Sequence, residues 1–166
     1  MASFSVAIFF GTAEGLQPLF GRCYGEKNET DLKYYFRSGL IINFVGSVII
    51  YIVLLFAGGP VCMLFGADPD TLQFTVESMP KYAWGFSVMA LNTIISAYLY
   101  STKRSVQAII MNVLRSFVFN LTVIILLPEI FGAEAVWYTF GVYEAMVLAV
   151  AVTLLRRSER NGVVFR

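Results

Sequence analysis

Apolar residues gather in long runs along this chain, and polar residues gather in short seams between them. Four runs, at 39–58, 82–100, 106–127 and 135–155, come close to or exceed the roughly 20 residues an α-helix needs to cross the hydrocarbon core of a bilayer. A fifth and shorter run opens the chain at 4–20. Taken to their nearest polar boundaries, the runs predict helices at about 4–20, 34–58, 80–101, 104–127 and 134–156. The expected fold class is all-α, a polytopic transmembrane helix bundle of about five spans. The opening run has no positively charged start and is interrupted by Glu14, so it reads as a short span rather than a signal peptide. Gly11 and Gly15 form a G-x-x-x-G pair, the pattern of a close helix contact. Gly58 and Pro60 mark a turn, and 59–80 reads as a connection.

Composition supports the membrane reading. Hydrophobic residues make up 58% and charged residues 14%, against about 45–50% and about 25% in a soluble domain. Such a chain has too few charges to cover a water-facing surface and too many apolar residues to be disordered. A net charge of +1 offers no basic face to nucleic acid. Catalytic groupings are missing from the sequence. There is no histidine, Cys23 and Cys62 stand apart, and no phosphate-binding G-x-x-x-x-G-K-[ST] run occurs. The aspartates Asp31, Asp68 and Asp70 all fall in seams, so no intramembrane acid pair forms. Neither an enzyme nor a cofactor is expected.

The seams alternate in charge. Arg22, Lys27, Lys33 and Arg37 lie in or beside the first, Lys103 and Arg104 in the third, and Arg156, Arg157, Arg160 and Arg166 in the tail. The second has only Lys81 at its margin and the fourth has no base. The positive-inside rule puts the basic seams in the cytoplasm, so the N-terminus starts outside and the C-terminus ends inside. A chain that starts outside without a signal peptide reads as part of a longer protein. Tyr82, Trp84 and Trp137 sit near span ends, where aromatic side chains anchor at the interface. In the first seam a helix start is expected near Thr30 or Asp31, with Asp31 as its cap.

A small set of polar side chains falls inside the spans, where they are costly and face the bundle or a cavity. Glu14 lies in the first helix, Asn43 in the second, Asn92 in the third, Asn112, Arg115 and Asn120 in the fourth, and Glu144 in the fifth. Arg115 precedes Leu127 by 12 residues and Glu144 follows Ala135 by 9. On consecutive antiparallel helices their depths match within about 5 Å. Glu144 therefore reads as the buried partner of Arg115, as a proton- or cation-handling acid, or as a neutral acid facing lipid. Glu14 is the rival partner for Arg115. Asn112, Arg115 and, less closely, Asn120 share one helix side, which suits an interhelical hydrogen-bond network.

The run from Gly11 to Phe36 resembles a segment of the multidrug and toxic compound extrusion (MATE) family. Gly11, Gly15, Gln17 and Pro18 match its G-x-x-x-G-x-Q-P, and Tyr24, Gly25, Lys27 and Asn28 match its Y-G-x-K-N. Similar matches follow at Leu64–Asp70, at Asn92, at Leu114–Arg115, at Leu127–Pro128 with Phe131–Gly132, at Val136–Trp137 and at Glu144. The resemblance implies helices eight to twelve of a twelve-helix, two-lobe transporter that exports organic cations in exchange for H+ or Na+ across the bacterial cytoplasmic membrane. The mid-span polar residues Glu14, Asn92, Asn112, Arg115, Asn120 and Glu144, with Gln17 from the family motif, make up the candidate transport-related or buried polar set. The resemblance also implies a missing N-terminal lobe as partner, and an incomplete chain that is inactive alone. The alternative is a small structural or regulatory membrane protein that assembles with a partner half-transporter. Two departures stand out: Glu14 replaces a residue that is usually Gln or small, and the third helix carries Asn92 rather than an acid.

Overall fold

The structure is a computed structural model that describes residues 2–64, 66 and 69–160. Asp68 and Arg166, and the side chains of Asp70 and Arg160, lie outside that description. The described residues are helical almost throughout: α1 Ala2–Gly25, α2 Glu29–Leu64, α3 Pro69–Ala83, α4 Gly85–Ser101, α5 Ser105–Val113, α6 Asn120–Phe131 and α7 Thr139–Arg160. A π-helical segment, Leu114–Phe119, joins α5 to α6 in one long rod, and a 3-10 turn, Ala133–Tyr138, leads into α7.

α4 is the axis of the bundle. It packs against α1, α2, α5 and α7, and its buried residues occur on every side, from Phe86 and Ala90 to Asn92, Thr93, Ile94, Ile95 and Leu99. Small residues allow this approach. α1 turns Phe9, Ala13 and Phe20 inward, a spacing near 3.6 that stacks them on one helix face. α2 contributes Leu32, Gly39, Asn43 and Ser47. Asn43 Nδ2 donates to the carbonyls of Ala90 (3.2 Å) and Phe9 (3.4 Å), tying three helices together.

The outside of the bundle is apolar. Ile41, Ile42, Ile49 and Phe56 of α2 and Val106, Ile109, Phe117, Leu121 and Ile125 of the α5–α6 rod are exposed large hydrophobic residues. Water would not tolerate so continuous a surface. Among the described residues, three helical stretches are long and apolar enough to cross a membrane: Glu29–Leu64, Ser105–Phe131 and Ala133–Arg157. The molecule is an all-α, polytopic membrane helix bundle. α4 has 17 residues, about 25 Å at 1.5 Å per residue, and is enclosed by its neighbours.

Several expectations change. The stretch 59–80 is not a loop. α2 runs on to Leu64, with non-helical angles at Ala57 (φ −118°, ψ 18°) and Pro60 inside it. Proline lacks the N–H that would bond the carbonyl of Phe56, so the helix bends rather than stops. α3 follows, with Gln73 Nε2 donating to Glu77 Oε1 at 3.1 Å, and Pro69 stands at its first position, where a missing N–H costs nothing. Gly11 and Gly15 meet no neighbour within 4 Å, because the inward face of α1 is the opposite one. Close helix approach falls instead at Gly39, whose added Cβ would lie 2.5 Å from Leu16 Cδ1, and at Gly85 against Gly141. Trp84 also has an internal partner. Its ring lies on the bare backbone of Gly141. Tyr82 stacks on Phe140 at 4.6 Å. Arg104 is buried with its guanidinium 5.7 Å from the Tyr98 ring centroid, while Lys103 remains exposed.

The cap of α2 is Asn28, not Asp31. The Asp31 amide donates to Asn28 Oδ1 (3.1 Å), and Asn28 Nδ2 donates back to Asp31 Oδ2 (2.8 Å). Lys27 takes a left-handed φ of 54° to make the turn. Asn28→Ala should therefore destabilise the α1–α2 corner by about 1 kcal/mol, read as faster amide exchange over residues 29–33. Asp31→Ala should cost less, since the Asn28 oxygen still caps the helix.

Candidate functional site

Glu144 projects from the second turn of α7 and is fully buried. A side chain so short and so fully buried does not reach water, so its charge must be met inside. Two neighbours meet it. Arg115 Nε donates to Oε1 at 2.7 Å, and Nη2 lies 2.7 Å from the same oxygen. Asn92 Nδ2, from the enclosed centre of α4, donates to Oε2 at 2.8 Å and to the Glu144 carbonyl at 2.9 Å. Asn92 is itself fully buried, and its Oδ1 has no hydrogen-bond partner among the described residues.

Arg115 sits in the π-helical segment. An i→i+5 turn widens the rod by one residue and re-aims the side chains that follow, a distortion that recurs at functional positions. The Arg115 side chain is 14% exposed against 1% for Glu144. Its exposed side faces a cleft of about 170 Å³ between α1, α4 and α5. Glu14, Gln17 and Phe10 line that cleft from α1, Thr93, Ser96 and Tyr100 from α4, and Asn112 from α5. Asn112 Nδ2 donates to Ser96 Oγ (3.1 Å) and to the Tyr100 hydroxyl (3.2 Å), holding the cleft floor together.

The structure thus divides the expected residues. Glu144, Arg115 and Asn92 form an inner cluster, and Glu14, Gln17 and Asn112 surround the cleft with Arg115 as the shared member. Arg115 pairs with Glu144 rather than with its rival Glu14, which is exposed to the cleft. Asn120, at the start of α6, is not among the cleft residues. Thr93 and Phe10 line the cleft without having stood out in the sequence, because Thr and Phe are ordinary residues in an apolar run. Their helical spacing, three residues before Ser96 and four before Glu14, is the signal that would have found them. No group of three or more potential metal-ligating side chains occurs among the described residues.

The described residues form a membrane-type helix bundle with a buried charged cluster that opens on one side to a polar cleft. Residues 1–126 match the model of the MatE family. The chain belongs to that family, whose members are transporters rather than enzymes. Comparison with curated proteins gave no match, and comparison with solved structures gave none.

Proposed function

We propose that this chain is part of the C-terminal lobe of a MATE-type exporter of organic cations, corresponding to helices eight to twelve, driven by exchange for H+ or Na+. The observation that carries this reading is Glu14. It is exposed at mid-helix in a bundle whose outer surface carries many large apolar side chains. A carboxylate cannot face lipid there, so it lines a cavity shared with another lobe. Gln17, Tyr100 and Asn112 beside it supply hydrogen bonds and an aromatic face, the chemistry that holds an organic cation. The order of family motifs from Gly11 to Gly132 supports the helix assignment.

Alternating access needs two bundles moving against each other around one cavity, and these helices provide less than one lobe of the family's two. Expressed alone in a drug-sensitive host, the chain is expected to leave the tolerated concentration of an organic cation unchanged. Tolerance that disappears with Glu144→Gln would overturn this and point to an oligomer of the chain as the working transporter.

The same reading places the N-terminus outside and the C-terminus in the cytoplasm. Lys81 and Glu134 pair at 3.0 Å across α3 and the 3-10 turn, so those two ends share one side. Phe20, Phe36 and Tyr98 cluster at the other. A cysteine placed at Asp70 should be modified by an impermeant reagent added from outside, and one at Lys103 should be protected. The reverse pattern would invert the topology.

A further inference from the structure

Asn92 is bonded on one side only. Its Nδ2 is fully used by Glu144, and its buried Oδ1 is an acceptor with no donor among the described residues. Buried acceptors are rarely left so. This acceptor has a use in the other charge state of Glu144. A carboxylic acid and a primary amide pair through two parallel hydrogen bonds, amide N–H to one acid oxygen and acid O–H to the amide oxygen. Half of that ring exists already, on Oε2. The other acid oxygen, Oε1, is the one Arg115 holds.

We propose that Glu144 is a two-state proton site in which H+ and the Arg115 guanidinium replace each other on Oε1, and that this replacement switches the charge of the cleft. The proposal rests on the cation-binding reading of the cleft given above. With Glu144 ionised, Arg115 neutralises it, and the remaining negative charge of the set stays on Glu14. A proton from water that binds Oε1 breaks the ion pair. The new O–H turns to Asn92 Oδ1, and Oε2 keeps the Asn92 N–H. Arg115 already lines the cleft with Glu14, so its released charge goes to that carboxylate and competes with a bound cation. Two carboxylates and one guanidinium carry one net negative charge before protonation and none after. One proton enters as one monovalent cation leaves, and no net charge moves.

The surroundings are compatible with this exchange. Besides Arg115 from the π segment and Asn92 from α4, the groups that sense the Glu144 charge include Tyr82 of α3 and Tyr143 of α7, and neither is a cation. The π segment gives Arg115 a place where the rod can repack by one residue without unfolding.

The switch can be read without any ligand. In the full chain in nanodiscs, Gln17→Cys places a thiol in the cleft, while Cys23 and Cys62 are buried. The ratio of its reaction rates with a trimethylammonium and a sulfonate methanethiosulfonate reports the local potential. Glu144→Gln mimics the protonated acid, since its amide can donate to Asn92 Oδ1. It should lower the cation-to-anion ratio roughly tenfold or more, as expected for one unit charge moved into a small cleft. Adding Arg115→Met should restore the ratio. If Glu144→Gln does not fold, the ratio of the Gln17→Cys chain with Glu144 intact is read against pH instead: it should drop as pH falls, and a ratio that stays constant overturns the switch. An unchanged ratio in Glu144→Gln, or a fall that Arg115→Met does not reverse, overturns the switch. Tetraphenylphosphonium binding separates the two readings. Loss of affinity in Glu14→Gln and a tenfold or greater weakening in Glu144→Gln is the expected result. If the probe does not bind while the rate ratio still shifts, the cation reading fails and the switch stands. If it binds equally to Glu144→Gln, the switch fails.

Discussion

Arg115→Met is expected to destabilise the bundle by roughly 1–3 kcal/mol, and by more than Glu144→Gln does. The asymmetry follows from burial. Removing the guanidinium leaves a carboxylate with no exposed surface and only the Asn92 N–H to hold it. Removing the carboxylate leaves Arg115, which still borders a cleft containing Glu14. The arginine has a second carboxylate within its own cavity, and the glutamate has no second cation among the described residues. Methionine fills the space of the arginine stem, so lost packing contributes little. Reversible unfolding in bicelles, followed by helical signal, gives both values. Equal losses would mean that Arg115 does not serve Glu144 more than the cleft does.

Gly141→Ala should be the most disruptive single-methyl change in the chain. A Cβ on Gly141 would overlap the indole of Trp84, and one on Gly85 would lie 2.9 Å from the Gly141 backbone. α4 and α7 therefore meet backbone to backbone at this point, with Trp84 wedged beside them. Neither helix can yield locally, since Tyr82, Phe86, Phe140 and Tyr143 close the contact with ring centroids 4.6–5.7 Å apart. Overpacking of this kind costs about 1–3 kcal/mol. Because Glu144 lies one turn further along α7, the same shift would also draw it from Asn92. Gly11→Ala is the control: nothing lies within 4 Å of its Cβ, so it should leave the isolated chain unharmed or slightly more stable. A melting series of the two variants, with the yield of monodisperse protein, tests the contrast.

Much of this architecture was legible because lipid makes simple demands. Runs of about twenty apolar residues leave few structural choices, and mid-run polar residues stand out against them. Counting depth along two antiparallel helices was enough to bring Arg115 and Glu144 to one level. Direction along the helix was not legible from depth alone. It decides that Asn92 joins the inner cluster, that Asn120 stays out of the cleft and that Gly11 and Gly15 point away from α4. α3 was hidden because its sequence, with Pro69, Asp70, Glu77 and Pro80, has the composition of a loop. It is helical because its apolar side packs on α2, a tertiary cause with no local signal. The break at Ala57 was likewise read as an end, since Gly-Gly-Pro marks turns far more often than bends within helices. The packing partner of Trp84 was hidden for a related reason: Gly141 lies 57 positions away and is visible only once α4 and α7 are in contact.

The central claim is that Arg115 and Glu144 form one electrostatic unit at mid-membrane. A double-mutant cycle with Arg115→Met and Glu144→Gln, measured as unfolding free energy in a lipid bilayer or bicelle, addresses it directly. The double variant should lose less than the sum of the single losses, with a coupling of about 1 kcal/mol or more. Additive losses would contradict the claim and return Glu14 as the group that Arg115 serves.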